Sequence, residues 1–261
     1  MNSAKPIKNQ KSKIKNHILP LLMLILLFTG CDREDAWDIV KTRGEHIIEQ
    51  KTLPAFHAVT VSNGINVALS QGNDYAATIE GWKNLTPKIR LSVGEEGVLV
   101  IEDANQFNFV RNRDNMTTVY LSVAGELNSI YFSGNGYFVS GDTICTSGLT
   151  VLCEEASGSV DLKVKAQGIY LGTNHQNVAS ITIGGWCNSV GITNWGNAPV
   201  DLSGLKASFA DIHHHGSGNV YVNVSESVDA VIYGMGDVYY SGNPSIKLTR
   251  KGKGNMYKNH D

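Results

Sequence analysis

Asp211, His213 and His215, inside the stretch "DIHHHGSGNVYVNV", are the residues of this chain whose types and spacing come nearest to a metal site. Two imidazoles and a carboxylate suit zinc or a related ion. On a strand, residues at alternate positions share one face at about 7 Å intervals. Such a row converges poorly, and no fourth ligand stands nearby. No metal is therefore expected, with Asp211, His213 and His215 as the one candidate set. The Gly216-Ser217-Gly218 phrase that follows suggests a phosphate cradle, but a phosphate loop is a single loop opening one helix. Neither G-x-x-x-x-G-K-[ST] nor G-x-G-x-x-G occurs in the chain.

Catalytic groupings are equally thin. Polysaccharide lyases and glycosidases need converging carboxylates, or a base with cationic or metal help. Asp161 and Asp201 are the best-placed acids; they share an outer column but stand two coils apart, and no Arg or Lys joins them in that column. Arg90, Arg111, Arg113 and Arg250 are scattered over separate segments. Cys145, Cys153 and Cys187 fit no zinc spacing, and a disulfide between two of them stays open. The expectation is a protein that is not an enzyme, with no catalytic residues and no cofactor.

What organises these residues is a drifting repeat. Small-residue turns recur as "SGNGYFVSG", "ASGSVDLKV", "WGNAPVDLSG", "HGSGNVYVNV", "YGMGDVYYSG" and "KGKGNMYKN", each followed by an alternating strand. Marking the second small residue of each turn gives Gly136, Gly158, Gln176, Ala198, Gly218, Gly236 and Gly254, at intervals of 22, 18, 22, 20, 18 and 18. Two residues after the marks stand Phe138, Val160, Val178, Val200, Val220, Val238 and Met256; six before them stand Ile130, Leu152, Tyr170, Ile192, Ile212, Ala230 and Leu248. Both columns are apolar throughout. Alternation within a turn indicates strand, and columns that recur between turns indicate coils stacked on one another. Twenty residues cannot bury a face alone, so neighbouring coils must complete the core. The fold class is all-β: a β-solenoid of about seven coils over residues 126–261, with glycine corners. His214 falls on an inward column with Phe132 and Ile232.

In this register the aromatic residues gather. Trp195, His215 and Tyr233 stand three before successive marks, and Tyr221, Tyr239 and Tyr257 three after. They form two outer ladders with rungs about 4.8 Å apart. Exposed rings on a rigid sheet suit a glycan or a protein partner, since they supply contact area at little entropic cost. Ladders of this kind also stabilise the sheet itself.

The flanking segments set the location. Residues 1–30 carry five lysines and no acid, then an apolar run from Ile18 to Phe28, then Thr29-Gly30-Cys31. That is an export signal, too short for a membrane span. Its end resembles a bacterial lipobox, which makes Cys31 the lipidation site and first mature residue, held on a membrane by acyl chains. Residues 31–44 then form an acidic tether, with Asp32, Glu34, Asp35 and Asp38, similar to the stretch that directs some Bacteroidota lipoproteins to the cell surface. Without the signal the chain has 17 basic and 24 acidic residues, a net charge of −7, which argues against nucleic acid as partner. Residues 45–125 read as a further β segment in "HAVTVSNGINVALSQG", "YAATIEG", "KIRLSVGEEGVLVIED" and "MTTVYLSVAG", an N-terminal β-layer capping or continuing the solenoid.

Gly64-Ile65-Asn66 in "VSNGINVALSQG", followed by glycine corners ending in "GDVYYSGNPSIKLTRKGKGN", resembles the head GIN domain family of auto-transporter adhesin-like lipoproteins of Bacteroidota. The similarity covers roughly residues 45–258. It implies a β-helix akin to the pectin-lyase superhelix, an exported outer-membrane lipoprotein and a role in cell adhesion, without a shared catalytic set; the residues leave open a periplasm-facing alternative with a structural or envelope-associated role. Gln176 and Ala198 depart from it by replacing corner glycines, and the histidine run has no counterpart in it.

Overall fold

The computed structural model describes residues 44–105 and 116–259. The signal, Cys31, the acidic tether and the Arg111–Asn115 run lie outside the described residues. Those described are all-β with no α-helix, and the chain coils into a β-solenoid of about six turns.

Each turn runs up one strand, rounds a corner, and returns along a second strand. Two parallel stacks result. In the first, β6 (Val98–Asp103) pairs with β2 (Ala58–Asn63), and β2 with β8 (Ser129–Gly134), which pairs with β10 (Gly148–Cys153). The second stack runs from β7 (Thr117–Val123) through β3 (Ile65–Gln71) to β9 (Tyr137–Cys145). From there one long strand per turn serves both stacks: β11 (Ser159–Thr173), β12 (Ser180–Asn194), β13 (Val200–His214) and β14 (Val220–Ile232). The final rungs are β15 (Val238–Ser241), β16 (Ser245–Arg250) and β17 (Met256–Lys258). The Gly64-Ile65-Asn66 phrase thus lies inside the stack, where β2–β3 makes a full coil between β6–β7 and β8–β9. Antiparallel strands cover the first end: β5 (Ile89–Val93) on β6, and β4 (Ala76–Trp82), itself paired with β1 (His46–Thr52), on β7.

The core is a set of aligned aliphatic columns. Phe138, Val160, Ile181, Val200, Val220, Val238 and Met256 are paired in sequence along the second stack. Ile130, Val151, Leu171, Ile192, Ile212, Ala230 and Leu248 do the same in the first. This corrects the sequence register at one corner and its neighbours. Ala179, not Gln176, takes the mark, and Ile181, not Val178, takes the core position; Val178 is 52% exposed. Val151 and Leu171 replace Leu152 and Tyr170. The reason is corner length. From first-stack column to second-stack column the count is 8 residues at most corners (Ile192 to Val200, Ile212 to Val220). It is 9 from Val151 to Val160, where Glu155 adopts φ 53°, and 10 from Leu171 to Ile181. Seven such corners follow residue 126, close to the coil number expected there.

The corner glycines let coils meet. A Cβ on Gly158 would collide with the Gly136 carbonyl, and one on Gly218 with the Ala198 carbonyl. Both φ angles are ordinary, so here glycine serves close approach rather than left-handed backbone.

Candidate functional site

The corner between the two stacks carries both aromatic ladders, one on each flank. Trp195, His215 and Tyr233 follow the ends of β12, β13 and β14. Trp195 and His215 have ring centroids 3.7 Å apart and planes 9° from parallel; for His215 and Tyr233 the values are 4.2 Å and 5°. Both faces of His215 are therefore covered. Lys251 places its Nζ 4.8 Å from the Tyr233 centroid, closing the last face of the stack. On the other flank Tyr221 and Tyr239 stack at 5.0 Å and 15°, while Tyr257 lies tilted against Tyr239 at 5.6 Å and 32°. Tyr257 ends the ladder on the last rung.

This geometry changes what the rings can offer. Rings stacked face to face present edges and hydroxyls outward, so flat stacking of sugar rings is restricted to ladder ends that no side chain caps, which excludes the Tyr233 face under Lys251. Partial burial, then Asp237 and the flanking tyrosines, hold the Tyr239 hydroxyl above its usual pKa, so it stays a neutral donor. Burial, then His213, depresses His215, which favours the neutral ring in the stack.

Between the ladders the corner is polar and internally braced. Ser217 donates to Asn197 Oδ1 at 2.8 Å. The Asp237 amide donates to Asn219 Oδ1 at 3.1 Å, and the Asn255 amide to Asp237 Oδ1 at 2.8 Å. Under the Trp195 flank runs a buried polar column. Thr173 Oγ1 donates to Asn194 Oδ1 at 2.7 Å, and Asn194 Nδ2 lies 3.3 Å from His214 Nδ1. His214 points inward as its column required and is fully buried.

The remaining candidates are not drawn together. Asp211 and His213 pair at 3.4 Å, but His215 belongs to the aromatic stack. Among the described residues no three His, Cys, Asp or Glu side chains group as a metal site. Asp161 and Asp201 share an outer column with Thr182 between them, and Asp201 accepts from Ser203 N and Oγ at 2.9 and 2.6 Å. Cys145, Cys153 and Cys187 are all free.

Sequence reasoning missed two polar clefts at the same corner, in the earlier coils. One of about 400 Å³ is lined by Asn63, Asp103, Asn105, Asn135 and Glu155. Its neighbour, of about 350 Å³, is lined by Asn66, Asn135, Tyr137 and Ser159. Asn63 stands at φ 65° just before the Gly64-Ile65-Asn66 phrase. An asparagine before glycine was the available signal, since asparagine tolerates this backbone region.

Solved structures share the fold. A putative adhesin from Bacteroides fragilis aligns with TM-score 0.74 and 21% identity over 82% of this chain and 97% of its own. A putative adhesin from Parabacteroides distasonis aligns with TM-score 0.61 and 17% identity, covering 83% and 98%. A putative lipid binding protein from the same species gives TM-score 0.61 and 16% identity over the same shares. Comparison with curated proteins finds no match. The family described as "Putative auto-transporter adhesin, head GIN domain" matches residues 55–244, from the loop before β2 to the turn before β16. The chain belongs to the head GIN domain family.

Proposed function

We propose that this protein is a non-catalytic binding protein of adhesin type, exported and held on the outer membrane through lipidated Cys31, with its solenoid displayed at the cell surface. The observation that carries the reading is the pair of outward ladders, Trp195–His215–Tyr233 and Tyr221–Tyr239–Tyr257, flanking one rigid corner. Their edges and hydroxyls are already ordered, so a partner meets them at little entropic cost. The ligand is a glycan or a protein. Acidic net charge after residue 30 argues against nucleic acid. The adhesin names of the family and of the structural neighbours support the same reading.

The test is a panel of immobilised glycans and extracellular proteins, probed with the wild-type chain and with a Tyr221→Ala/Tyr239→Ala variant. Binding that falls at least tenfold in the variant supports the ladder as the binding face. Full retention of every interaction by a folded variant contradicts it.

A further inference from the structure

The two ends of the solenoid are finished differently. At the first end antiparallel strands lie over the coil edges, and Leu91 and Val93 of β5 pack against the core. At the other end, among the described residues, β16 pairs with β14 alone, and all six of its residues are exposed. Ile246 and Leu248 continue the columns of Val228 and Ala230. Those two are 1% and 0% exposed, but Ile246 and Leu248 are 40% and 36% exposed because no rung covers them. This rung also lies beyond the residues matched by the family.

We propose that the free edge of β16 accepts an extended segment of a partner protein, added as one further rung. That segment would carry apolar residues over Ile246 and Leu248 and an acidic residue beside Lys247.

Three observations select this occupant. An open strand edge offers alternating N–H and C=O groups, which only another extended polypeptide satisfies in full. Apolar side chains at alternate positions, Ile246 and Leu248, require apolar residues at the same spacing in whatever covers them. Charge supplies the third. Lys247, Arg250, Lys251, Lys253 and Lys258 fall in the last eighteen residues before Asn259, with no acid among them. In the outer column Asp211 is followed by Asp229 and then by Lys247, whose Nζ reaches Asp229 Oδ2 at 2.5 Å. An acid on the next rung would meet the open side of that ammonium group. A second copy of the chain, docking edge to edge, would set the same cations against each other. The lysines that discourage self-pairing therefore leave the edge open to an acidic strand.

The experiment uses the full chain and fluorescent nine-residue peptides: one alternating valine and glutamate, one alternating valine and lysine, and one valine–glutamate peptide interrupted by proline. The valine–glutamate peptide should bind, and the other two at least tenfold more weakly. Leu248→Asp, at a position already open to solvent, should abolish binding without changing the circular dichroism spectrum. Lys247→Glu should reverse the charge preference of the peptides. Absence of valine–glutamate binding, or equal binding of both charge forms, overturns the proposal. So does a concentration-dependent dimer that Leu248→Asp dissolves, since the edge would then serve a second copy. Binding to phosphatidylglycerol vesicles without any peptide preference would assign the rung to an anionic surface and overturn it as well.

Discussion

His215 lies face to face with Trp195, with ring centroids 3.7 Å apart and planes 9° from parallel. Its other face is taken by Tyr233. The ladder therefore joins three successive coils at the corner as well as presenting a surface. Each aromatic pair contributes about 0.5–1.5 kcal/mol beyond its buried area, so His215→Ala, which removes two, should cost about 1–3 kcal/mol. Urea unfolding of the two forms measures it. A loss near zero would mean that the stack carries no stability.

The buried column beneath that ladder makes stability depend on pH. Asn194 Oδ1 accepts from Thr173 and from the Gly196 amide, so its Nδ2 must donate, and His214 Nδ1 must accept. The imidazole is therefore neutral. Burial lowers its pKa, with His215 acting in the same direction, while the Asn194 and Gly236 backbone and Asp237 oppose them without reversing the result. A folded-state pKa below the unfolded value means that, as pH falls, the folded chain binds fewer protons than the unfolded chain. The contribution is whole above about pH 6.5 and is lost progressively below it. Thermal midpoints between pH 7.5 and 5 should drop more steeply in the wild type than in His214→Leu. Parallel curves would contradict this, although His215, also lowered by burial, leaves a smaller slope in both.

Glycines of the solenoid should divide by what their missing Cβ would meet. Gly158 faces the Gly136 carbonyl, whereas Gly141 has only the Leu69 carbonyl, at 3.7 Å. Gly158→Ala forces two coils apart and should destabilise by more than about 3 kcal/mol, while Gly141→Ala should stay within about 1 kcal/mol. Equal effects in chemical denaturation would show that coil spacing is not what these glycines protect.

The three cysteines of the described residues should differ in reactivity. Burial pushes the Cys153 thiol up to about 12 and the Cys187 thiol up to about 11, and only Cys145 is exposed. The thiolate is the reactive form. A chromogenic disulfide reagent at pH 8 should modify Cys145 in the native chain, and all three only after unfolding. Rapid native labelling of Cys153 would contradict the core packing.

The sequence made the columns legible wherever corners keep one length. Val200, Val220 and Val238 are eight residues beyond Ile192, Ile212 and Ala230, and both ladders could be read from that regularity. It failed where Glu155 and the Asn174–Ala179 corner add residues, because an insertion in a corner shifts the count without altering the alternation of the strands. Asn177 misled in particular: it bonds its own corner, donating to the Ala179 carbonyl at 3.2 Å, rather than marking the turn to the next strand. The ring orientation was not legible at all. Column position shows which residues face outward, but whether they offer faces or edges depends on stacking distances. The clefts beside Asn63 and Asn135 also stayed hidden, since coils from both sides of residue 126 build them.

Exposure of the solenoid outside the cell is the claim on which an adhesive role depends, and protease shaving of intact producing cells tests it most directly. Lysed cells serve as control and a periplasmic protein as internal standard. Loss of the full-length chain from intact cells, with the standard preserved, is the result predicted here. Protection of the chain until lysis would contradict the account and place the binding face inside the envelope.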